Sequence, residues 1–170
     1  MKKIVVFGKP GSGKSTLSKS LALATKIPLY ALDSIEYKNN GDKEERKIYD
    51  EIHENILSSD SWIIDGFGPI DSFNKRLDAA DTLIYIDLPY IMSYWLVTKR
   101  LLKGLHTKPE GWPDGSSVLK GTLESYRVLR LCPKFWNEHF MRELEKLSTE
   151  KSLYVIRSIF ELNNFIKKLK

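Results

Sequence analysis

"KKIVVFGKPGSGKST", Lys2–Thr16, decides how the chain is read. Its first half is a run of β-branched and aromatic residues stopped by glycine, which predicts a buried strand. Its second half has the spacing G-x-x-x-x-G-K-[ST], with Gly8, Gly13, Lys14 and Ser15 in the defining places. Residues from about Gly13 to Thr25 then predict a helix, with Leu17, Leu21 and Ala24 on one face. Glycines between a strand and a helix let successive N–H groups turn inward toward an anion, and the helix adds the positive end of its dipole. The expected ligand is the phosphate tail of ATP with Mg2+. Gly8, Lys9, Pro10, Gly11, Ser12, Gly13, Lys14, Ser15 and Thr16 form its expected cradle. Lys14 would reach the β and γ phosphates, and the Ser15 hydroxyl would hold the metal. Lys9 occupies a variable place in the loop and is expected to point to solvent.

Working outward, four more strand-like runs follow: "IPLYAL" (27–32), "SWIID" (61–65), "TLIYIDLP" (82–89) and "SLYVIRS" (152–158). Helical patterns lie between them. "EERKIYDEIHENILSS" (44–59) is expected to turn Ile48, Ile52, Ile56 and Leu57 inward. Further helices are expected over 91–103, 118–131, 134–148 and at the C-terminal end. "NNGD" (39–42) reads as a loop. "GLHTKPEGWPDGSS" (104–117) is Gly/Pro-rich and long enough to suggest a lid. Strands alternating with helices imply a parallel sheet covered on both faces.

The chain has 170 residues, 42% hydrophobic and 29% charged, which fits one soluble domain with a real core. Cys132 is the single cysteine, so an internal disulfide and a multi-cysteine zinc site are excluded, and a reducing cytoplasm is expected. "IVVF" is too short for a signal peptide, and no stretch approaches the roughly 18 apolar residues of a membrane span. Residues 1–85 carry 12 Lys+Arg against 13 Asp+Glu, and residues 86–170 carry 15 against 9. The positive excess therefore lies in the second half and suits an anionic partner, either ATP or nucleic acid.

The motif set narrows the class. "NKRLD" (74–78) misses the guanine-reading spacing by one residue, and there is no transporter-type signature. "GKPGSGKST", "LYALDS", "SWIIDGFG", "ADTLIYIDLP" and "SYWLVTKRLL", in that order, resemble the adenylate-kinase-related P-loop proteins. The likeness is greatest to the small bacterial branch called DNA topology modulation (FlaR-like) proteins, and it covers most of the chain up to about residue 104. The resemblance implies a P-loop NTPase fold, a three-layer α/β/α domain over 1–170. It implies a five-stranded parallel sheet in the order 2-3-1-4-5, a helical lid over about 104–130, and ATP as donor. The sequence departs from adenylate kinases where those bind the AMP phosphate: "YALDSIEYK" has no arginine, and "DGFGPI" has glycine and proline where Pro-Arg would come. Arg46, Lys47, Lys75 and Arg76 are expected to be solvated helix residues.

Ligands of such sheets sit beyond the C-terminal ends of the strands, where Asp33, Asp65 and Asp87 fall. Asp65 is expected to hold the magnesium-bound water, Asp33 to face the acceptor and orient its hydroxyl or take its proton, and Asp87 to cap the helix that follows. Phosphoryl transfer also needs converging cations. Arg127 and Arg130, three apart on one helix, could meet one anion. The resemblance gives Arg100 the role of the arginine leading into the lid, Arg127 or Arg130 that of the one leading out, and Arg157 a place near the adenine. Two functions stay open: a kinase passing the ATP γ-phosphate to a nucleotide or small hydroxylated metabolite, and a nucleic-acid-associated protein that uses ATP as a switch.

Overall fold

The computed structural model describes residues 1–37, 42–104 and 118–169. The greater part of the 39–42 loop and the lid stretch 105–117, with His106, Lys108 and Trp112, lie outside the described residues. At the centre is β1 (Lys3–Gly8), flanked by β3 (Trp62–Asp65) and β4 (Thr82–Ile86). β2 (Leu29–Ala31) and β5 (Ser152–Ile156) close the edges, giving a five-stranded parallel sheet in the order β2-β3-β1-β4-β5, as expected. The three inner strands are buried on both faces, which is why they read as unbroken apolar runs rather than alternating ones.

The period of two divides those runs between two cores. Val5, Phe7, Trp62, Ile64, Leu83 and Tyr85 face a layer holding α3 (Arg46–Ser58), α4 (Ile70–Ala79) and α7 (Glu138–Leu147). Ile4, Val6, Ile63, Ile84 and Ile86 face α1 (Lys14–Thr25) and α8 (Ile159–Lys167). The first core is aromatic: Phe7 stacks on Tyr85 and Trp136, at centroid separations of 5.3 and 6.0 Å. Phe67, in the turn after β3, meets Phe135 and Trp136 at 4.8 and 5.3 Å. The remaining helices are α2 (Asp33–Glu36), α5 (Tyr90–Gly104) and α6 (Val118–Leu131), the last two packed on each other. None of the described helices is long and apolar enough to cross a membrane.

Helix faces depart from expectation where polar partners decide them. In α3 the inward stripe is Tyr49, His53 and Ile56, while Ile48 and Ile52 stay 40% and 39% exposed. In α1 the buried set is Leu17, Ser18 and Leu21, and Ala24 is exposed. In α7, Asn137 takes the cap position, its side chain accepting from the Phe140 N–H at 3.0 Å, so the helix begins at Glu138 rather than 134.

The reason for the α3 rotation is Arg76, which is fully buried rather than solvated. Its guanidinium donates to the Phe67 carbonyl and lies 3.1 Å from His53 Nε2. It also sits 5.5 Å from the Phe73 ring centre. A buried cation needs acceptors, and only the Tyr49/His53 face of α3 supplies an imidazole there. Burial pulls the Arg76 pKa down to about 10, which still leaves it charged at neutral pH. Burial, with the Arg76 charge second, pulls His53 down to about 4, so the ring is neutral and accepts.

Two outcomes follow from this cluster. Arg76→Met should lower stability by about 2 kcal/mol or more in urea unfolding, because it strands the Phe67 carbonyl. Lys75→Met should leave the unfolding midpoint nearly unchanged, since its pair with Glu54 is exposed. The unfolded chain binds a proton on His53 more readily than the folded one. Stability should therefore fall as pH drops from about 6.5 to about 4, by up to roughly 3 kcal/mol, and His53→Gln should flatten that slope.

Candidate functional site

The loop between β1 and α1 is built on backbone that only glycine tolerates. Gly8 has φ 146°, and a Cβ there would lie 2.3 Å from the Ile86 carbonyl oxygen of β4. Gly11 has φ 74°, and its Cβ would lie 2.8 Å from Val97 Cγ2 and 3.0 Å from the Ser93 carbonyl of α5. The loop is thus pressed between the end of the sheet and α5, and it curls as the motif requires. Pro10, Gly11 and Gly13 are half-buried, Ser12 is buried, and Ser15 and Thr16 are exposed at the start of α1.

Lys14 lies within this curl, its Nζ donating to the Lys9 carbonyl at 2.9 Å. Burial pulls the Lys14 pKa below its ordinary value, while the Asp65 and Asp33 charges draw it back up and Arg100 adds to the lowering. Asp65 ends β3 and is 6% exposed. Burial raises its carboxyl, and the Lys14 charge and the Ser15 hydroxyl hold it down. Asp33 opens α2 and is exposed, close enough to act on Lys14, Asp65 and Arg100. Arg100 is half-buried on α5, and its guanidinium donates to Ser125 Oγ of α6 at 2.8 Å. The fold therefore gathers Lys14, Ser15, Asp33, Asp65 and Arg100 at one end of the sheet.

Three other expected residues are exposed. Arg127 is exposed on α6, with Glu124 at 3.9 Å, and Arg130 is exposed on the same helix. Arg157 is also exposed, its backbone N–H donating to Glu161 at 2.8 Å where α8 begins.

Lys9 does not point to solvent. It is 2% exposed and forms an ion pair with Asp87. Asp87 is thereby spoken for: it takes Lys9 and the Tyr85 hydroxyl rather than capping α5. The loop backbone swings its second residue back against the end of β4, and nothing in the local sequence reports that approach. The Lys9–Asp87 and Arg76–His53 contacts are the two polar features that sequence reasoning missed. The only signal for the first was a lysine in a glycine loop and an aspartate ending the neighbouring strand.

The residues present fit a magnesium ion that keeps most of its waters. Asp65 Oδ1 is buried without a hydrogen-bond partner, beside the Ser15 hydroxyl. Among the described residues no group of three His, Cys, Asp or Glu could cage a metal. One buried carboxylate and one hydroxyl suit a cation whose remaining positions are taken by water and phosphate.

No family model and no curated protein matches the chain. Solved structures do. Shikimate kinase from Acinetobacter baumannii, in complex with shikimate, aligns at 17% identity over 99% of this chain and 90% of that one, with a TM-score of 0.57. Shikimate kinase from Bacteroides thetaiotaomicron aligns at 14% identity over 98% and 94%, with a TM-score of 0.51. The likeness is one of fold: the chain has the P-loop NTPase fold seen in small kinases. These neighbours do not lead to the DNA topology modulation branch.

Lys14→Ala should abolish tight binding of Mg-ATP while leaving the circular dichroism spectrum unchanged, as isothermal titration calorimetry would show.

Proposed function

We propose that the protein is an ATP-dependent kinase that transfers the γ-phosphate to a small hydroxylated acceptor. The observation that carries this reading is the pair of carboxylates, Asp65 and Asp33, whose charges both act on Lys14. Asp65 is buried beside Ser15, and Asp33 is exposed at the end of β2. Two acids in such different surroundings suit two tasks, one at the metal and one at the acceptor.

In this reading the acceptor hydroxyl oxygen attacks the γ-phosphorus, Asp33 takes its proton, and the bond to the β-phosphate oxygen breaks to leave ADP. Lys14 donates to the β and γ oxygens, and Arg100 adds positive charge from α5. Ser15 and Asp65 would hold Mg2+, which would supply neutralisation of the negative charge that develops in transfer. Ser15 and Asp65 orient the water and phosphate around it. Arg127, Arg130 and Arg157 are proposed to act on the nucleotide from the lid side and near the adenine.

The acceptor class follows from where the arginines are. The residues after β2 and in the turn after β3 supply none, and Arg76, the nearest substitute in sequence, is locked beneath that turn. This favours a hydroxylated metabolite over a nucleoside monophosphate, in keeping with fold neighbours whose acceptor is shikimate.

ADP release in a panel of small hydroxy acids, polyols and nucleoside monophosphates tests the proposal. Turnover should appear with a hydroxylated metabolite, and Asp33→Asn should lower kcat about a hundredfold or more with little change in ATP affinity. ADP released equally without any acceptor would make the protein an ATPase. Salt-dependent DNA binding without acceptor phosphorylation would favour the nucleic-acid reading.

A further inference from the structure

We propose that Lys9 and Asp87 are a positioning pair that fixes the phosphate loop and, through the Lys9 carbonyl, sets the place of Lys14; this rests on the phosphate-loop reading above. Lys9 is the second residue of the loop, flanked by Gly8 and Pro10. A lysine there can reach water without cost, yet this one is buried. Its ammonium pairs with Asp87 and lies 4.7 Å from the Tyr90 ring centre, so the cation has both a counter-charge and an aromatic face.

Asp87 is itself anchored twice. Its carboxylate accepts from the Tyr85 hydroxyl at 3.0 Å, and its backbone N–H donates to the Ile156 carbonyl at 2.8 Å. Tyr85 keeps its proton for that bond because burial and the Asp87 charge both raise its pKa. The side chain of Lys9 is therefore tied to the ends of β4 and β5.

The main chain of the same residue serves the other purpose. The Lys9 carbonyl accepts from Lys14 Nζ at 2.9 Å and from the Ser12 N–H at 3.3 Å. Holding Lys9 by its side chain fixes the direction of its carbonyl. That carbonyl in turn holds the ammonium expected to meet the β and γ phosphates. With the pair removed, the peptide after Lys9 is free to rotate, and Lys14 loses a fixed acceptor. The loss falls on phosphate binding rather than on the adenosine end of the ligand, because the side-chain pair acts through Lys14 and the loop, while the tie to β5 is a backbone bond that the substitutions keep.

The test compares inorganic triphosphate, titrated calorimetrically with Mg2+, against adenosine followed by NMR shifts. The proteins are wild type, Lys9→Met, Asp87→Asn, the double variant Lys9→Met/Asp87→Leu, and Lys14→Ala. Each pair variant should weaken triphosphate binding about tenfold or more. Adenosine binding should stay within about twofold of wild type. The double variant should be no weaker than the worse single one, since one interaction is lost in each. If a single variant fails to fold because it strands a buried charge, the double variant, which leaves none, decides. Wild-type triphosphate binding in the pair variants, with binding lost in Lys14→Ala, would overturn the proposal alone. Equal losses for triphosphate and adenosine would also overturn it, as the pair would then be merely structural. Undiminished triphosphate binding in Lys14→Ala would overturn the phosphate-loop reading and this proposal together.

Discussion

The approach of the backbone at Gly8 to the Ile86 carbonyl is the constraint on which the rest depends. A Cβ would sit 2.3 Å from that oxygen, so the first loop residue must be glycine and β1 must lie beside β4. The contact places the start of the phosphate loop at the C-terminal edge of the sheet, where the ends of β3 and β4 also arrive. Lys14, Asp65 and the Lys9–Asp87 pair all take their positions from it. A parallel sheet brings all its strand ends to one edge, which is why residues from separate segments meet there.

Electrostatics at that edge is ordered by burial. Asp65 is buried and Lys14 half-buried, and each moderates the shift that burial imposes on the other. Lys9 is also buried, and its charge is met by Asp87. The two lysines thus stand in different surroundings, one paired with a carboxylate and one bonded to a backbone carbonyl, although they are five residues apart in the sequence. Asp33 stands at the water-facing side, the side proposed above for the acceptor.

The turn after β3 shows a second coupling. Phe67 packs against Phe135 and Trp136, and its carbonyl is held by Arg76. The proposed acceptor side is therefore joined by aromatic contacts to the chain leaving α6, and by the guanidinium to α3 and α4. This arrangement holds the turn with an arginine that the sequence alone would have left in solvent.

The amino-acid sequence by itself determined the strand–loop–helix unit of Lys2–Thr25, the five strands, and the candidacy of Lys14, Ser15 and Asp65. These depend on local chemistry: glycine where the backbone must turn, β-branched runs where both faces are buried, and an acid where an apolar run stops. Tertiary structure alone decided which helix faces turn inward and which charges are dry. Ile48 and Ile52 gave way to Tyr49 and His53 because Arg76, from another helix, needed acceptors. Lys9 left the solvent because Asp87, 78 residues away, reached it. Both outcomes come from pairing between segments distant in the chain, and a charged side chain shows its partner only when folding removes the water that would otherwise solvate it.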